Sequence, residues 1–273
     1  MAKLNLSIVC SLNESKESKG GVIKKFASLC HMLKPLGYDG IELSLLEPER
    51  IEVTEIVELC ESYELRIPAL GTGSTYIRFG YSFGDLKESS RKAAIERIVK
   101  YIELAQNFNS KVIIGLIRGR YNHESNPMRE RANIISCLKE CCRVAENHDI
   151  ELVFEPINSF EIDSFNTISQ SKALLQEVGS DHLKLLIDSF HTHLEEDPVY
   201  IWDDLINIVP FVGHIHLADC TRRAPGTGHF DFKTFLKLFK RAGYRGFVSL
   251  ETIMKPSFEE LAKDASEYLN SIL

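Results

Sequence analysis

Short apolar runs alternate along this chain with longer stretches in which apolar residues return every three or four positions. The runs predict strands at about Leu4–Cys10, Gly40–Ser44, Arg66–Leu70 and Lys111–Ile117, then Leu152–Glu155, Leu183–Ile187, Phe211–Leu217 and Phe247–Leu250. The intervening stretches predict helices at about Val22–Pro35, Val53–Tyr63, Ser89–Phe108, Met128–His148, Ile168–Val178, Val199–Ile208, Phe232–Ala242 and Phe258–Ile272. Their period is the helical one, as in Ile95, Ile98, Val99, Ile102 and Ala105. Gly37, Gly179 and Gly243 stand just past helix ends, where a left-handed residue closes the last turn.

Eight strands, apolar on both faces and each followed by a helix, point to a parallel sheet closed on itself, an α/β fold of the (β/α)8 TIM barrel kind. No linker, low-complexity tract or composition shift interrupts the alternation, so residues 1–273 read as a single domain. The longest stretches without a helical pattern, Gly71–Glu88 and Arg118–Asn126, both follow strands and are expected to fold over the barrel mouth.

Composition narrows the class. Of 273 residues, 44% are hydrophobic and 26% charged, which is ordinary globular usage. No run reaches the roughly 20 apolar residues of a membrane span, and the first residues lack a signal peptide's apolar stretch. With seven cysteines scattered through helices and strands, the expectation is a cytoplasmic protein with reduced, mostly buried thiols. The i, i+4 pair Cys137 and Cys141 has no His cluster beside it and makes a poor second metal site. A net charge of −7 argues against a nucleic-acid partner, and nothing suggests a membrane. A small polar molecule is the better partner.

The candidate chemistry sits at strand ends. Glu155, Asp188, His216 and Glu251 fall at intervals of 33, 28 and 35 residues, each at or beside the C-terminal end of a strand-like run. One metal-ligating side chain per βα unit converges on a point only if the strands curl round it, at the mouth where such barrels place their active sites. The loops that follow add Glu161, His191 and Arg222, and the two glycines of Gly71-Thr-Gly73 either let backbone approach a ligand closely or simply make a turn.

Glu155-x-x-Asn-x-Phe-Glu161, Asp188-x-Phe-His191, His216 with Arg222 and Pro225-Gly-x-Gly228, and the terminal Glu251 together resemble the motif set of ketose 3-epimerases of the D-tagatose 3-epimerase type. These belong to the xylose-isomerase-like barrel superfamily, and Gly71-Thr-Gly73 and Ile113–Arg120 look closest to its 5-keto-L-gluconate epimerase branch. The resemblance implies inversion of the carbon next to the ketone of a ketose or keto-acid sugar, by proton transfer through an enediolate. It implies Glu155 and Glu251 as the two bases, Glu161 and His191 on hydroxyls at the substrate's carbonyl end, and Arg222 fixing the substrate near the metal. Gly71, Gly115 and Arg118 join them as substrate-binding residues.

Glu155, Asp188, His216 and Glu251 would hold one divalent metal. Three carboxylates and an imidazole, with two places left for substrate oxygens, suit Mn²⁺ best, with Mg²⁺ or Co²⁺ as alternatives. Relatives of this type pair as homo-dimers or homo-tetramers. The chain departs from the family at Ser159, where Arg is common, so the fine substrate preference does not carry over. Arg118 and Arg120 follow strand four, and one of them is expected to grip the carboxylate of an acidic ketose.

Other readings start from the same residues. An aldose–ketose isomerase or inosose dehydratase would use the same scaffold and a similar enediolate. An apurinic endonuclease would want further histidines after strands three and four, where this chain has Gly71 and Gly115. A non-catalytic sugar-binding barrel would not require two carboxylates on opposing sides of a metal. A strand-end Glu can also do no more than pair with a neighbouring Arg or Lys. His214 shares a strand face with His216 and reads as a supporting or packed histidine, Glu42 as a residue that reaches or supports the metal site. His193 reads as a loop residue, His229 as a loop residue or pocket lining, and Asp219 as a turn cap.

Overall fold

A computed structural model describes residues 4–12, 19–121 and 126–272. Eight parallel strands close into a barrel in chain order: β1 Asn5–Ser11, β2 Gly40–Ser44, β3 Ala69–Gly71, β4 Lys111–Ile114, β5 Leu152–Phe154, β6 Leu183–Asp188, β7 Val212–Leu217 and β8 Phe247–Leu250. The helices are α1 Lys19–Leu33, α2 Val53–Ser62, α3 Gly73–Phe79, α4 Glu88–Ala105, α5 Pro127–Asn147, α6 Ile168–Val178, α7 Ser189–Glu195, α8 Ile201–Ile208, α9 Phe232–Arg241 and α10 Phe258–Ile272. Among the described residues no helix is long and apolar enough to cross a membrane.

Side chains alternate across each strand, and here the two faces have different chemistry. Outward residues such as Ile8, Leu43, Ile114, Phe154, Ile187 and Leu250 are buried and join the large core between barrel and helices. The inward layer divides in two. On β3 to β6 it is a separate apolar cluster of Ala69, Ile113, Val153 and Leu186. On the remaining four strands it is polar: Ser7, Glu42, His214 and Ser249 are all at most 1% exposed. One turn higher, β5, β6, β7 and β8 end in or next to Glu155, Asp188, His216 and Glu251.

Helix ends follow local signals. Thr167 and Gln170 form a reciprocal capping box on α6, and Gly179 closes the helix with φ +71°. Gly37 and Gly243 are also left-handed, as their positions predict.

Three expectations are corrected. The Gly71–Glu88 stretch is not helix-free but contains α3, closed by left-handed Gly80. Strand four stops at Ile114, and Leu116–Arg118 forms a 3₁₀ turn instead of continuing the strand. Strand three is only Ala69–Gly71, with Arg66 making an isolated bridge to Gly40. The second long mouth loop lies partly outside the described residues, at 122–125.

Candidate functional site

Asp188 ends β6 and opens α7, an element absent from the sequence reading. Its Oδ1 accepts the backbone N–H groups of Phe190 (2.7 Å) and His191 (3.1 Å), so it is also the N-cap of that helix. Its Oδ2 is left to face the site, where Arg222 Nη1 donates to it at 2.7 Å. The other arm of the Arg222 guanidinium donates to Glu251 Oε2. Arg222 is held left-handed, with φ +59°, and its guanidinium lies 4.9 Å over the Phe190 ring.

His216 stands between these carboxylates. Its Nδ1 is 3.2 Å from Glu251 Oε2, 3.6 Å from Glu155 Oε1 and 3.9 Å from Asp188 Oδ2. Its Nε2 points the other way, 2.9 Å from Glu42 Oε1. Donor atoms of Glu155, Asp188, His216 and Glu251 all lie within 4.8 Å of one another, a spacing at which one cation can touch all four. The donor set fits a cation on a second count: Glu155 Oε1 is buried with no hydrogen-bond partner. A buried carboxylate oxygen is costly to leave unpaired, and a divalent ion would satisfy it.

The electrostatics of the cluster are those of a site built for negative charge beside cations. Burial alone would raise the Asp188 and Glu251 carboxyls, but Arg222 foremost outweighs it and holds both below the usual carboxylate range. Burial likewise opposes a charged His216, yet Glu42 and then Glu251 lift its pKa well above that of a free imidazole. Glu42, buried between His216 and His214, is held down at about 2 because their attraction exceeds the burial penalty.

Glu161 and His191 are held together by Asn158, a residue of the Glu155–Glu161 motif to which the sequence alone assigns no role. Asn158 Oδ1 accepts the N–H groups of Phe160 (3.1 Å) and Glu161 (3.2 Å), which fixes the amide's orientation. Its Nδ2 therefore faces Glu161 Oε1 at 3.0 Å and His191 Nδ1 at 2.7 Å. An amide NH₂ can only donate, so His191 Nδ1 accepts and Nε2 carries the proton, 3.8 Å from Glu155 Oε1.

A cavity of about 200 Å³ opens over the cluster. Glu42, Glu155, Glu161, His191, His216, Arg222 and Glu251 line it together with Gly71, Ser44, Ser74, Ile77, Gly115 and Ile157. Gly115 is needed for space: a Cβ there would sit 2.9 Å from Glu155 Oε2 and 3.3 Å from Ile157 Cδ1.

Arg118 is a correction. It is fully buried and does not line the cavity. The 3₁₀ turn after β4 carries its side chain onto Phe154, 4.8 Å from the ring centroid, with Nη1 on the carbonyls of Glu155 (2.8 Å) and Gly115 (3.1 Å) and Nε on that of Ser164 (3.0 Å). Arg120 is exposed and donates to the Phe160 carbonyl at 2.9 Å, also off the cavity. Neither grips a carboxylate in the site. His229 does not line the cavity either; its Nδ1 lies 3.2 Å from Cys220 Sγ. His214 is packed beneath the site against Glu42 (2.7 Å) and Ser249 (3.1 Å).

Asp219 does more than cap one turn. Its Oδ2 accepts the N–H groups of Gly226 and Gly228, each at 2.9 Å, and its Oδ1 those of Cys220 (2.8 Å) and Phe230 (3.3 Å). This ties down the glycine-rich loop that also carries Arg222. A Cβ at Gly228 would lie 2.2 Å from Asp219 Oδ1.

Residues 30–272 match the family model described as xylose isomerase-like TIM barrel. The chain is 31% identical over 241 residues to a D-psicose 3-epimerase of Agrobacterium fabrum (strain C58), covering 85% of this chain and 80% of that protein. It is 26% identical over 223 residues to an L-ribulose 3-epimerase of Methylomonas sp. (strain DH-1), covering 79% and 74%. The crystal structure of a D-allulose 3-epimerase from Methylomonas sp. in complex with D-allulose superimposes with a TM-score of 0.82 at 22% identity, over 99% of this chain and 97% of that one, which is a likeness of fold.

Proposed function

Because the chain belongs to the xylose isomerase-like TIM barrel family, and its curated relatives are sugar epimerases, we propose that it inverts the carbon next to the ketone of a neutral ketose. The carrying observation is the pair Glu155 and Glu251, whose carboxylate oxygens lie within 4.8 Å of each other and of Asp188 and His216 around one cavity.

In this reading one of the two carboxylates takes the proton from the carbon beside the ketone. The C–H bond breaks and its electron pair moves into the former carbonyl, giving an enediolate. The other carboxylate returns a proton to the opposite face. Positioned acid–base groups of this kind contribute about 10² to 10⁴ in rate. Glu155, Asp188, His216 and Glu251 would hold a divalent cation, which draws charge from the ketone and so acidifies the neighbouring C–H. An oxygen-rich set with one imidazole favours Mn²⁺, with Mg²⁺ or Co²⁺ as alternatives. The Nε2–H of His191 and the Glu161 carboxylate, both set by Asn158, would orient the hydroxyls at the carbonyl end. Arg222 would bind an oxygen near the reacting carbon.

A neutral substrate is favoured over a keto-acid or a phosphorylated ketose because, among the described residues, Arg222 is the one Arg or Lys that lines the cavity, and it is already paired with Asp188 and Glu251. Seven free cysteines support a reducing, cytoplasmic setting.

The test is NMR in D₂O with the Mn²⁺-loaded and the chelator-stripped enzyme on psicose, ribulose, tagatose and a 5-ketogluconate control. Metal-dependent deuterium incorporation beside the ketone together with inversion there is expected, fastest on a neutral ketose. Aldose formation would turn the reading to an isomerase; no exchange on any ketose would overturn the proposal.

A further inference from the structure

The polar half of the barrel interior carries a line of hydrogen bonds that ends at the site: Glu42 reaches the cavity lining, and of the two His214 ring nitrogens Nε2 is paired while Nδ1 has no partner. Ser7 Oγ on β1 meets Ser249 Oγ on β8 at 2.5 Å, and these two residues are register partners. Ser249 Oγ meets His214 Nε2 at 3.1 Å, and His214 Nε2 meets Glu42 Oε2 at 2.7 Å. The second Glu42 oxygen meets His216 Nε2 at 2.9 Å. Ser7, Glu42, His214, His216 and Ser249 are each at most 1% exposed.

We propose that Glu42 is a positioning residue that fixes the tautomer and ring orientation of His216, so that Nδ1 presents its lone pair to the cation held by Glu155, Asp188 and Glu251. The inference rests on the metal-site reading above.

A carboxylate has no proton to give, so each of its oxygens here accepts one imidazole N–H. The proton of a metal-ligating, neutral His216 is thereby committed to Nε2. Only Nδ1 remains to face Glu251 at 3.2 Å, Glu155 at 3.6 Å and Asp188 at 3.9 Å. His214 occupies the second oxygen and so stops Glu42 from turning; Ser249 and Ser7 hold His214 in its turn. A buried carboxylate behind a histidine ligand raises the ligand's basicity and typically accounts for about 10- to 100-fold in metal affinity.

Glu42→Gln keeps the shape and removes the symmetry. The amide has one acceptor oxygen and one NH₂, so one of the two imidazole N–H groups must meet a donor. If that is His216, its relief is the other tautomer, which aims a proton at the three carboxylates.

Two measurements test this. Calorimetric titration of Mn²⁺ into chelator-stripped protein is expected to show binding about 10- to 100-fold weaker for Glu42→Gln than for wild type. Equal affinity in the two would overturn the inference while leaving the metal site intact. ¹⁵N NMR of the Mg²⁺-loaded wild type needs no variant to fold: the His216 proton is expected on Nε2, in a strong hydrogen bond, and a proton on Nδ1 would overturn the inference. If the wild type binds neither Mn²⁺ nor Mg²⁺, the metal-site reading falls first and this inference falls with it.

Discussion

Asp219→Asn is the substitution whose outcome the structure constrains best. Asp219 is fully buried, and its carboxylate accepts four backbone N–H groups, from Cys220, Gly226, Gly228 and Phe230. Asparagine retains one oxygen for two of them and turns an NH₂ toward the other two, which are left without an acceptor. An unsatisfied buried donor costs about 1 to 3 kcal/mol, so two cost roughly 2 to 6 kcal/mol. Loop relaxation puts the expectation near about 3 kcal/mol, a fall in Tm of roughly 6 to 12 °C for a chain of this size. Because the same loop carries Arg222, kcat/KM should drop about tenfold or more.

The pH dependence has a definite sign. Burial would raise the Asp219 carboxyl, but the N–H groups, that of Gly228 foremost, outweigh it and the pKa is lowered. A lowered folded pKa gives stability that is complete above the unfolded value near about 3.9 and is lost as pH falls through the folded one. The Tm gap between wild type and Asp219→Asn should therefore be constant from neutral pH to about pH 5 and close only below about pH 4. Thermal melts at matched Mn²⁺ concentration, with turnover measured alongside, check both parts. A variant that melts within about 1 °C of wild type at neutral pH with full activity would refute the view that this carboxylate organises the loop.

Other outcomes follow from the same geometry. Glu155→Gln and Glu251→Gln should each lower kcat by about 10² or more with little change in melting, seen by steady-state kinetics on a ketose; an active double variant would exclude two-base chemistry here. Gly115→Ala places a methyl 2.9 Å from Glu155 Oε2, and a displacement of the carboxylate by about half an ångström should cost activity on the order of tenfold. Arg118→Met leaves the carbonyls of Glu155 and Ser164 without the guanidinium donor, while that of Gly115 keeps the backbone N–H of residue 118; it should lower Tm, and lower turnover of neutral and acidic ketoses in equal proportion. A selective loss on the acid would restore Arg118 to the substrate.

The barrel was legible because its signal is repeated: eight apolar runs at similar spacing leave few alternatives. The strand-end residues Glu155, Asp188, His216 and Glu251 were legible for the same reason, since one such residue per unit can meet only at the mouth, and the structure brings them together. Short helices were not legible. The Gly73–Phe79 stretch begins with glycine and contains β-branched Thr75 and Ile77, so its propensity is poor and tertiary packing makes it helical. Asp188 read as a ligand alone because one carboxylate oxygen's use as a helix cap leaves no periodic trace. Arg118 was misread because sequence places a residue after a strand but not the direction of its side chain, and the 3₁₀ turn sends this one under the loop. Asn158 had a signal, its fixed offsets from Glu155 and Glu161, but an amide's donor side is decided only by its neighbours.

The division of the barrel interior has a consequence for how this molecule can change. Ala69, Ile113, Val153 and Leu186 are held by shape, and shape tolerates volume-conserving exchange among aliphatic residues. Ser7, Glu42, His214 and Ser249 are held by direction, and a directional network loses a partner with almost any replacement. Variation should therefore accumulate on one side of the axis and be arrested on the other. Room for a different ligand would have to be made in the apolar layer of β3 to β6, beneath the strand-end carboxylates Glu155 and Asp188, while the network on β7, β8, β1 and β2 stays as it is.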